Sequence, residues 1–284
     1  MSAQSQQAAQ SRQAAERFAC ELSADSGEPL SLFTRGIETP AAFGDAQCDY
    51  FEYSSRGDRV PGRLLRPASS EPVPLILFQH GLHGSKDAAY LDAAAPWIRH
   101  GVAVASIDFP LHGERANAKL SRQLFAGEAG SDDASHPDSR MLWIEFTRQA
   151  VSDLRRAVDA LRSFPGLDGR VAYAAFSLGA MIGAIYCASD PRPCAAALAL
   201  AGGGLGPPEI DPCAHIARIA PRPILFVNAT QDKRVPRSAT EALYERAQEP
   251  KRIEWFDSGH GDLPGGALKE MWLFLRTQLA LGSS

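Results

Sequence analysis

The sequence predicts an α/β fold in which a mostly parallel central sheet has helices on both faces. Short apolar runs recur along the chain with helical segments between them, and continuous apolar strands are typical of parallel sheets that are buried on both sides. These runs begin near positions 73, 102, 171, 195, 223 and 252. With 284 residues, 45% of them hydrophobic, the chain is long enough for one large domain with a substantial core.

The N-terminal part of the chain divides into a polar segment and the start of the sheet. Residues 1–25 are rich in Gln, Ala and Ser, which predicts a tail or a surface helix, and we expect the folded domain to cover 26–284. A Ser-Ser-Arg-Gly-Asp cluster separates two apolar runs at 48–53 and 60–65. Such turn-forming residues between apolar runs predict an antiparallel hairpin.

A β-α-β unit and a long connection follow the hairpin. Strands are predicted at 73–79 and 102–107, with a helical segment at 88–100 between them. The next helical periodicity begins only at Met141, after a polar stretch rich in Gly, Ser and Asp. Because connections of this length inside α/β domains are usually functional, residues 114–140 are predicted to form a lid-like insertion after the fourth strand.

A serine lies where an apolar strand pattern changes to a helical one, in the sequence Ala175-Phe176-Ser177-Leu178-Gly179. A sharp strand-to-helix turn exposes the serine hydroxyl as a nucleophile, and small neighbours let the strained backbone pass. The usual pattern is Gly-x-Ser-x-Gly. Ala175 replaces its first glycine, and its methyl group fits only if the backbone φ of Ala175 is negative.

Residues that could activate this serine follow two later predicted strands. Asp232 comes after strand 223–228, and His260 comes after strand 252–256. In a parallel sheet the loops at the carboxyl ends of the strands lie at one edge, so a nucleophile, a base and an orienting acid can meet there. We therefore expect Ser177 as nucleophile, His260 as base and Asp232 as its acid, with Asp257 and Asp262 less suited because they flank the histidine directly.

The segment His80-Gly-Leu-His-Gly84 directly follows the strand at 73–79. A loop at that place can direct backbone N–H groups at a developing oxyanion, and we expect Leu82 and Leu178 to supply them. His80 is interpreted as a structural loop residue, because a base is already assigned to the last strand. His83 and Trp143 are the expected substrate-binding residues.

Composition excludes several classes of partner. A net charge of −4 and a pI near 6.0 predict neither nucleic-acid nor membrane binding. The N-terminus has no basic and apolar leader pattern, so a cytoplasmic location is expected. Five cysteines without a Cys-x-x-Cys pair predict neither a disulfide framework nor a zinc site, and no cofactor or metal is expected. A homo-oligomer remains open.

Six motifs follow one another along most of the chain, at 57–67, 80–84, 108–115, 176–179, 232–236 and 258–260. Through them the chain, from about residue 46 to the C-terminus, resembles the α/β-hydrolase superfamily, and within it the dienelactone hydrolase-related, acetyl-esterase-like serine hydrolases. The resemblance implies an α/β-hydrolase fold and hydrolysis of small to medium acyl esters without a cofactor, with Ser177, His260 and Asp232 in the roles given above. Dienelactone hydrolases proper use a cysteine nucleophile, where this chain has Ser177.

Other functions fit the same residues. A thioesterase, an acyl-peptidase or a carbon–carbon bond hydrolase would use the same nucleophile, base and acid. A noncatalytic binding protein can also keep this fold.

Overall fold

In the computed structural model, which describes residues 3–23, 27–125 and 137–281, the predicted α/β fold is confirmed. Within the described residues the strands form one nine-stranded sheet in the order β1-β2-β3-β5-β4-β6-β7-β8-β9. The strands are β1 (Phe33–Ile37), β2 (Gln47–Ser55), β3 (Asp58–Arg66), β4 (Val73–Gln79), β5 (Ala103–Ile107), β6 (Leu167–Phe176), β7 (Pro193–Ala199), β8 (Ile224–Ala229) and β9 (Lys251–Phe256).

The sheet changes from antiparallel to parallel along its length. The first three strands form a meander, and β3 also pairs antiparallel with β5. From β5 through β4 to β9 all neighbours are parallel. The hairpin predicted around the Ser-Ser-Arg-Gly-Asp turn is β2 and β3, and the edge strand β1 was not predicted.

Helices cover both faces of the sheet. The α-helices of the described residues are α1 (Ala3–Ser23), α2 (Ala95–Arg99), α3 (Ala118–Phe125), α4 (Pro137–Leu161), α5 (Leu178–Ser189), α6 (Pro212–His215), α7 (Arg237–Arg246) and α8 (Gly265–Gln278). Alternate residues of β4 point to opposite faces, so Leu75 and Leu77 join the core under α4 and α5 while Ile76 and Phe78 join the core under α2 and α8. Within the described ranges, none of the helices has the length and apolar character needed to cross a bilayer.

The N-terminal segment is helical. Ala15, Phe18 and Leu22 lie on one side of α1 and are buried, and Phe18 and Leu22 join the core under α4 and α5. These buried residues of α1 thus lie in its second half, and the division of the chain at residue 25 stays a prediction.

The predicted insertion at 114–140 is described only in part. Its first residues form a 3₁₀ turn (Gly113–Arg115) and α3, which contacts α4. Residues 126–136 lie outside the described residues, so the lid stays a prediction. The start of the insertion is fixed: the Arg115 guanidinium lies 2.6 Å from the fully buried Asp153 carboxylate of α4 and 2.8 Å from Asp58.

Candidate active site

Ser177 occupies the turn between β6 and α5 with a φ of +51° and a ψ of −119°. Residues other than glycine rarely adopt a positive φ, and such strain persists only where the surroundings fix it. Here the Ser177 N–H donates to the Ala199 carbonyl at 2.8 Å, and the Ser177 carbonyl accepts from Ala180 and Met181 at 2.9 and 3.0 Å. Ala175 has a negative φ, as its methyl group requires.

The structure brings Ser177, His260 and Asp232 into one hydrogen-bonded line. The His260 Nε2 atom lies 2.9 Å from Ser177 Oγ, and His260 Nδ1 lies 2.7 Å from Asp232 Oδ2. Only 14% of the His260 side chain and 5% of the Asp232 side chain are exposed, so water competes weakly for these bonds. Asp257 instead accepts from Thr230 and Gln231.

Hydrogen bonds to Asp232 determine the tautomer of His260. The Asp232 Oδ1 atom accepts from the backbone N–H groups of Arg234 and Val235 at 2.8 and 2.9 Å, which stabilise the carboxylate and hold its orientation. Because a carboxylate can only accept, His260 Nδ1 must carry a proton and donate it to Oδ2. In neutral His260 the Nε2 atom is therefore the acceptor for the Ser177 hydroxyl.

The loop after β4 is fixed by the buried His80. Burial lowers the pKa of His80 to about 3, so its ring is neutral near pH 7. Its Nδ1 atom lies 2.8 Å from the Gly81 carbonyl and must donate to it, while Nε2 accepts from the Phe109 N–H at 3.4 Å. Both ring nitrogens of His80 therefore bond to backbone groups of the loops after β4 and β5.

The orientation of one peptide directs the Leu82 N–H. The Gly81 carbonyl accepts from His80 and also from the Gly84 N–H at 3.1 Å. Since C=O and N–H point in opposite directions across a trans peptide, the Leu82 N–H points away from these two donors. Neither this N–H nor that of Leu178 donates a hydrogen bond to any of the residues that the structure describes.

The loop also packs tightly on the serine turn. A Cβ placed on Gly81 would lie 3.2 Å from Ser177 Cβ, and a Cβ placed on Gly179 would lie only 2.4 Å from the His80 carbonyl oxygen. The absence of a side chain at Gly179 therefore lets the first turn of α5 approach the loop. This approach packs the loop that contains Leu82 against the turn that contains Ser177 and Leu178.

The two predicted substrate-binding residues meet a third aromatic residue. Phe125, the last residue of α3, packs edge-to-face on His83 with ring centroids 5.9 Å apart and on Trp143 at 5.5 Å. His83 is exposed and Trp143 is half-buried. Phe125 thus joins the loop after β4 to the start of α4.

A buried carboxylate links the loop after β4 to the loop after β5. Asp108 is fully buried and accepts from the N–H groups of Lys86 and Glu114 at 2.7 and 2.9 Å. Burial raises the pKa of Asp108. Burial alone would lower the pKa of Lys86, but its hydrogen bonds to Asp87 and Glu114 raise it above the usual value, so Lys86 stays charged.

Among the described residues no group of three or more His, Cys, Asp or Glu side chains is arranged to hold a metal ion.

Residues 62–263 match the family model of the dienelactone hydrolase family. The chain belongs to this family. No curated protein matches the sequence of this family member. Solved structures with the same fold are similar to most of this chain. An acetyl xylan esterase from Paenibacillus sp. R4 is 19% identical with a TM-score of 0.71, and the match covers 93% of this chain and 92% of the esterase chain.

Two further structures resemble this dienelactone hydrolase family member. A cold-adapted esterase from an Arctic intertidal metagenomic library is 21% identical with a TM-score of 0.69, covering 86% of this chain and 97% of its own. An acylaminoacyl peptidase from Pyrococcus horikoshii is 16% identical with a TM-score of 0.64, and the match covers 84% of this chain and 43% of the peptidase. At these identities the likeness establishes the shared α/β-hydrolase fold.

Sequence reasoning missed three residues that shape this site. Asp108 had a readable signal, because it is a charged residue directly after an apolar strand. Phe125 lies in a stretch interpreted as a polar connection, so no periodicity marked it. The Tyr90 hydroxyl accepts a hydrogen bond from a backbone N–H in the loop after β4. Such a contact between a side chain and the backbone of another segment leaves no pattern in the sequence.

Proposed function

We propose that this protein is a serine esterase that cleaves carboxylic esters of small to medium acyl groups through an acyl-enzyme intermediate. One observation carries the proposal. The Ser177 hydroxyl lies 2.9 Å from His260, and His260 lies 2.7 Å from the buried Asp232 carboxylate, at the carboxyl edge of the sheet. A nucleophile, a base and an orienting acid in contact are what acyl transfer by serine requires.

The family and the fold make the chain a carboxylic-ester hydrolase by class. Two of the similar structures are described as esterases, one of them as an acetyl xylan esterase. These names favour an ester with a short acyl group as the substrate to test first.

Acylation begins with transfer of the Ser177 proton to His260 Nε2 while Oγ attacks the ester carbonyl carbon. The negative charge that develops on the carbonyl oxygen is stabilised by the N–H groups of Leu82 and Leu178, which have no other acceptor among the described residues. His260 then carries a positive charge beside Asp232. It donates its Nε2 proton to the departing alcohol as the C–O bond breaks, leaving Ser177 acylated.

Deacylation repeats these steps with water. His260 Nε2 removes a proton from the water as its oxygen attacks the acyl carbon, and the same two N–H groups hold the oxyanion. The Ser177 Oγ then leaves and takes the proton back from His260. Asp232 remains a carboxylate throughout, because the N–H groups of Arg234 and Val235 stabilise its charge.

His83 and Trp143, joined by Phe125, are proposed to line the substrate pocket. Their edge-to-face contacts form an aromatic surface that begins two residues beyond Gly81, which itself packs on Ser177. The rings of Phe125 and Trp143 would bind an acyl chain by burial of its methylene groups, each worth about 0.8 kcal/mol.

Related acyl-transfer reactions are separated by substrate. The similarity to an acylaminoacyl peptidase makes an acyl-peptide substrate the second candidate. A panel of p-nitrophenyl esters of increasing chain length, the matching thioesters and acylaminoacyl amides would be compared by kcat/KM. We expect the short esters to be cleaved fastest, and higher values for thioesters or amides would replace the esterase proposal.

Replacement of Ser177 tests the nucleophile. Ser177→Ala should abolish burst release of p-nitrophenol from p-nitrophenyl acetate and labelling by a fluorophosphonate probe, because no acyl-enzyme can form. The matched control is Ser189→Ala at the other end of α5, where the hydroxyl donates to the Tyr186 carbonyl at 2.9 Å. It should retain wild-type burst and labelling. A wild type that the probe does not label would favour a noncatalytic binding protein.

A further inference from the structure

Tyr90 connects the loop after β4 to the turn that carries Ser177. It lies in a 3₁₀ turn (Ala89–Ala94) whose Leu91 and Ala94 are buried in the core under α2 and α8. The Tyr90 hydroxyl accepts a hydrogen bond from the Gly81 N–H at 2.8 Å. Its ring packs edge-to-face on Phe176, the residue before Ser177, with centroids 5.4 Å apart.

The hydroxyl reaches one particular peptide. The His80–Gly81 peptide donates through Gly81 to Tyr90, and its carbonyl oxygen faces Gly179 on the opposite side. Both ends of this peptide are therefore held, and it cannot rotate without losing the bond to Tyr90 or striking α5. A Cβ on Gly84 would lie 2.6 Å from the same hydroxyl, so Tyr90 lies across the loop from Gly81 to Gly84.

This contact also decides which N–H groups of the loop are available. Gly81 and Leu82 carry consecutive N–H groups close to Ser177. Because Tyr90 occupies the Gly81 N–H, Leu82 is left as the donor of the loop, and the fixed peptide before it limits where that donor points. The ring contact to Phe176 ties this arrangement to the turn that presents Leu178, the second donor.

We propose that Tyr90 is a positioning residue that aligns the oxyanion-binding N–H of Leu82 with that of Leu178. The proposal rests on the proposed serine esterase function and adds to it a residue outside the loop and outside the Ser177–His260–Asp232 line. Tyr90 does not touch the reacting atoms in this role. It acts through the Gly81 N–H and the Phe176 ring.

The test is the Tyr90→Phe variant, which removes one oxygen atom and keeps the ring on Phe176. Full loss of an oxyanion donor typically lowers turnover by about 10²- to 10³-fold. A donor that is misaligned but present should cost less, so we expect kcat for p-nitrophenyl acetate to fall about 10-fold with KM unchanged within about twofold. The inhibition constant of a trifluoromethyl ketone, whose adduct with Ser177 carries an oxyanion, should rise in parallel.

Tyr244→Phe is the matched control. Tyr244 lies on α7 and packs on Phe226, away from the loop after β4, so loss of its hydroxyl should change neither kcat nor the inhibition constant. Rates are expressed per active site titrated with the fluorophosphonate probe and measured well below the unfolding midpoints of both variants. A reduced amount of folded protein then cannot imitate a reduced turnover.

The outcomes distinguish a failure of the Tyr90 proposal from a failure of the proposed serine esterase function. Wild-type kcat and wild-type inhibition in Tyr90→Phe, with turnover that still depends on Ser177, would overturn the positioning role and leave the esterase intact. A higher KM with unchanged kcat would also overturn it, because Tyr90 would then be a substrate contact. A wild type without Ser177-dependent turnover would remove both proposals.

Discussion

Replacement of Asp232 by Asn tests the proton path through His260. In the wild type, Asp232 Oδ1 accepts from two backbone N–H groups and Oδ2 accepts from His260 Nδ1. In Asp232→Asn the amide oxygen should take the Oδ1 position, because a flipped amide would turn its NH₂ group against both backbone donors. The NH₂ group then faces His260 and donates to Nδ1.

The magnitude follows from that orientation. With Nδ1 forced to accept, the proton of neutral His260 lies on Nε2, which can no longer take the Ser177 proton. Flipping the amide to restore the productive tautomer would leave two backbone N–H groups without an acceptor, at a cost of about 1–3 kcal/mol for each of them. Removal of the correct tautomer in serine hydrolases lowers kcat about 10⁴-fold. At 1.36 kcal/mol for each tenfold, the barrier should rise by about 5 kcal/mol.

The assay compares kcat for p-nitrophenyl acetate in the wild type, in Asp232→Asn and in the control Asp257→Asn. Asp257 lies after β9, like His260, but accepts from Thr230 and Gln231, so its variant should keep wild-type turnover. Far-UV circular dichroism checks that both variants fold. If Asp232→Asn retains more than a tenth of the wild-type kcat, the assignment of Asp232 as the orienting acid is wrong.

Two further predictions follow from close packing and from buried histidines. Gly179→Ala would place a Cβ 2.4 Å from the His80 carbonyl oxygen, so the free energy of unfolding should fall by about 1–3 kcal/mol and kcat should fall about tenfold or more. The control is Gly206→Ala, whose Cβ meets open space and which should change neither quantity. Urea titration measures the free energy of unfolding, and a turnover assay measures kcat. Burial lowers the pKa of His80 to about 3 and that of His215 to about 4 from 6.5, so the unfolded chain binds protons first and stability should fall as the pH drops below 6.5. Urea titrations between pH 6.5 and 4 should show the His215→Gln variant losing up to about 1.4 kcal/mol less per pH unit than the wild type, and equal slopes would contradict the buried neutral state of His215.

The parallel strands of the sheet could be predicted from the sequence. So could the position of the site residues in the loops at the carboxyl ends of these strands. Strand β6, Ser177 and helix α5 follow from strong local signals, a continuous apolar strand and a buried helix joined by small residues. Asp232 and His260 could be placed because each follows such a strand, and parallel strands bring their carboxyl ends to one edge.

Elements without a strong pattern escaped prediction. β1 is an edge strand whose residues are mostly exposed, so neither alternation nor an apolar run marks it. α3 has only eight residues, and its buried Leu124 and Phe125 lie at its end, beyond a polar stretch. The segment at 88–100 was expected to be helical and is a 3₁₀ turn followed by the short helix α2.

Contacts between a side chain and distant backbone were beyond sequence reasoning altogether. The bond from the Gly81 N–H to the Tyr90 hydroxyl depends on how a 3₁₀ turn packs beside a loop, and the same residues could have pointed to solvent. Asp108 begins the motif at 108–115, but only the fold shows that the Lys86 and Glu114 N–H groups donate to its carboxylate.

The fixed base of the segment after Arg115 has a consequence for how this enzyme could diversify. Arg115 forms ion pairs with Asp153 and Asp58, and Asp108 accepts a hydrogen bond from the Lys86 N–H in the loop after β4. The residues from Asp108 to Arg115 are therefore held in place where the chain leaves the sheet. The length or composition of the predicted lid segment after Arg115 can therefore change while Ser177, His260 and Asp232 keep their arrangement. We predict that exchange of the predicted lid segment between homologues changes the substrate range, which a kcat/KM panel of esters would measure.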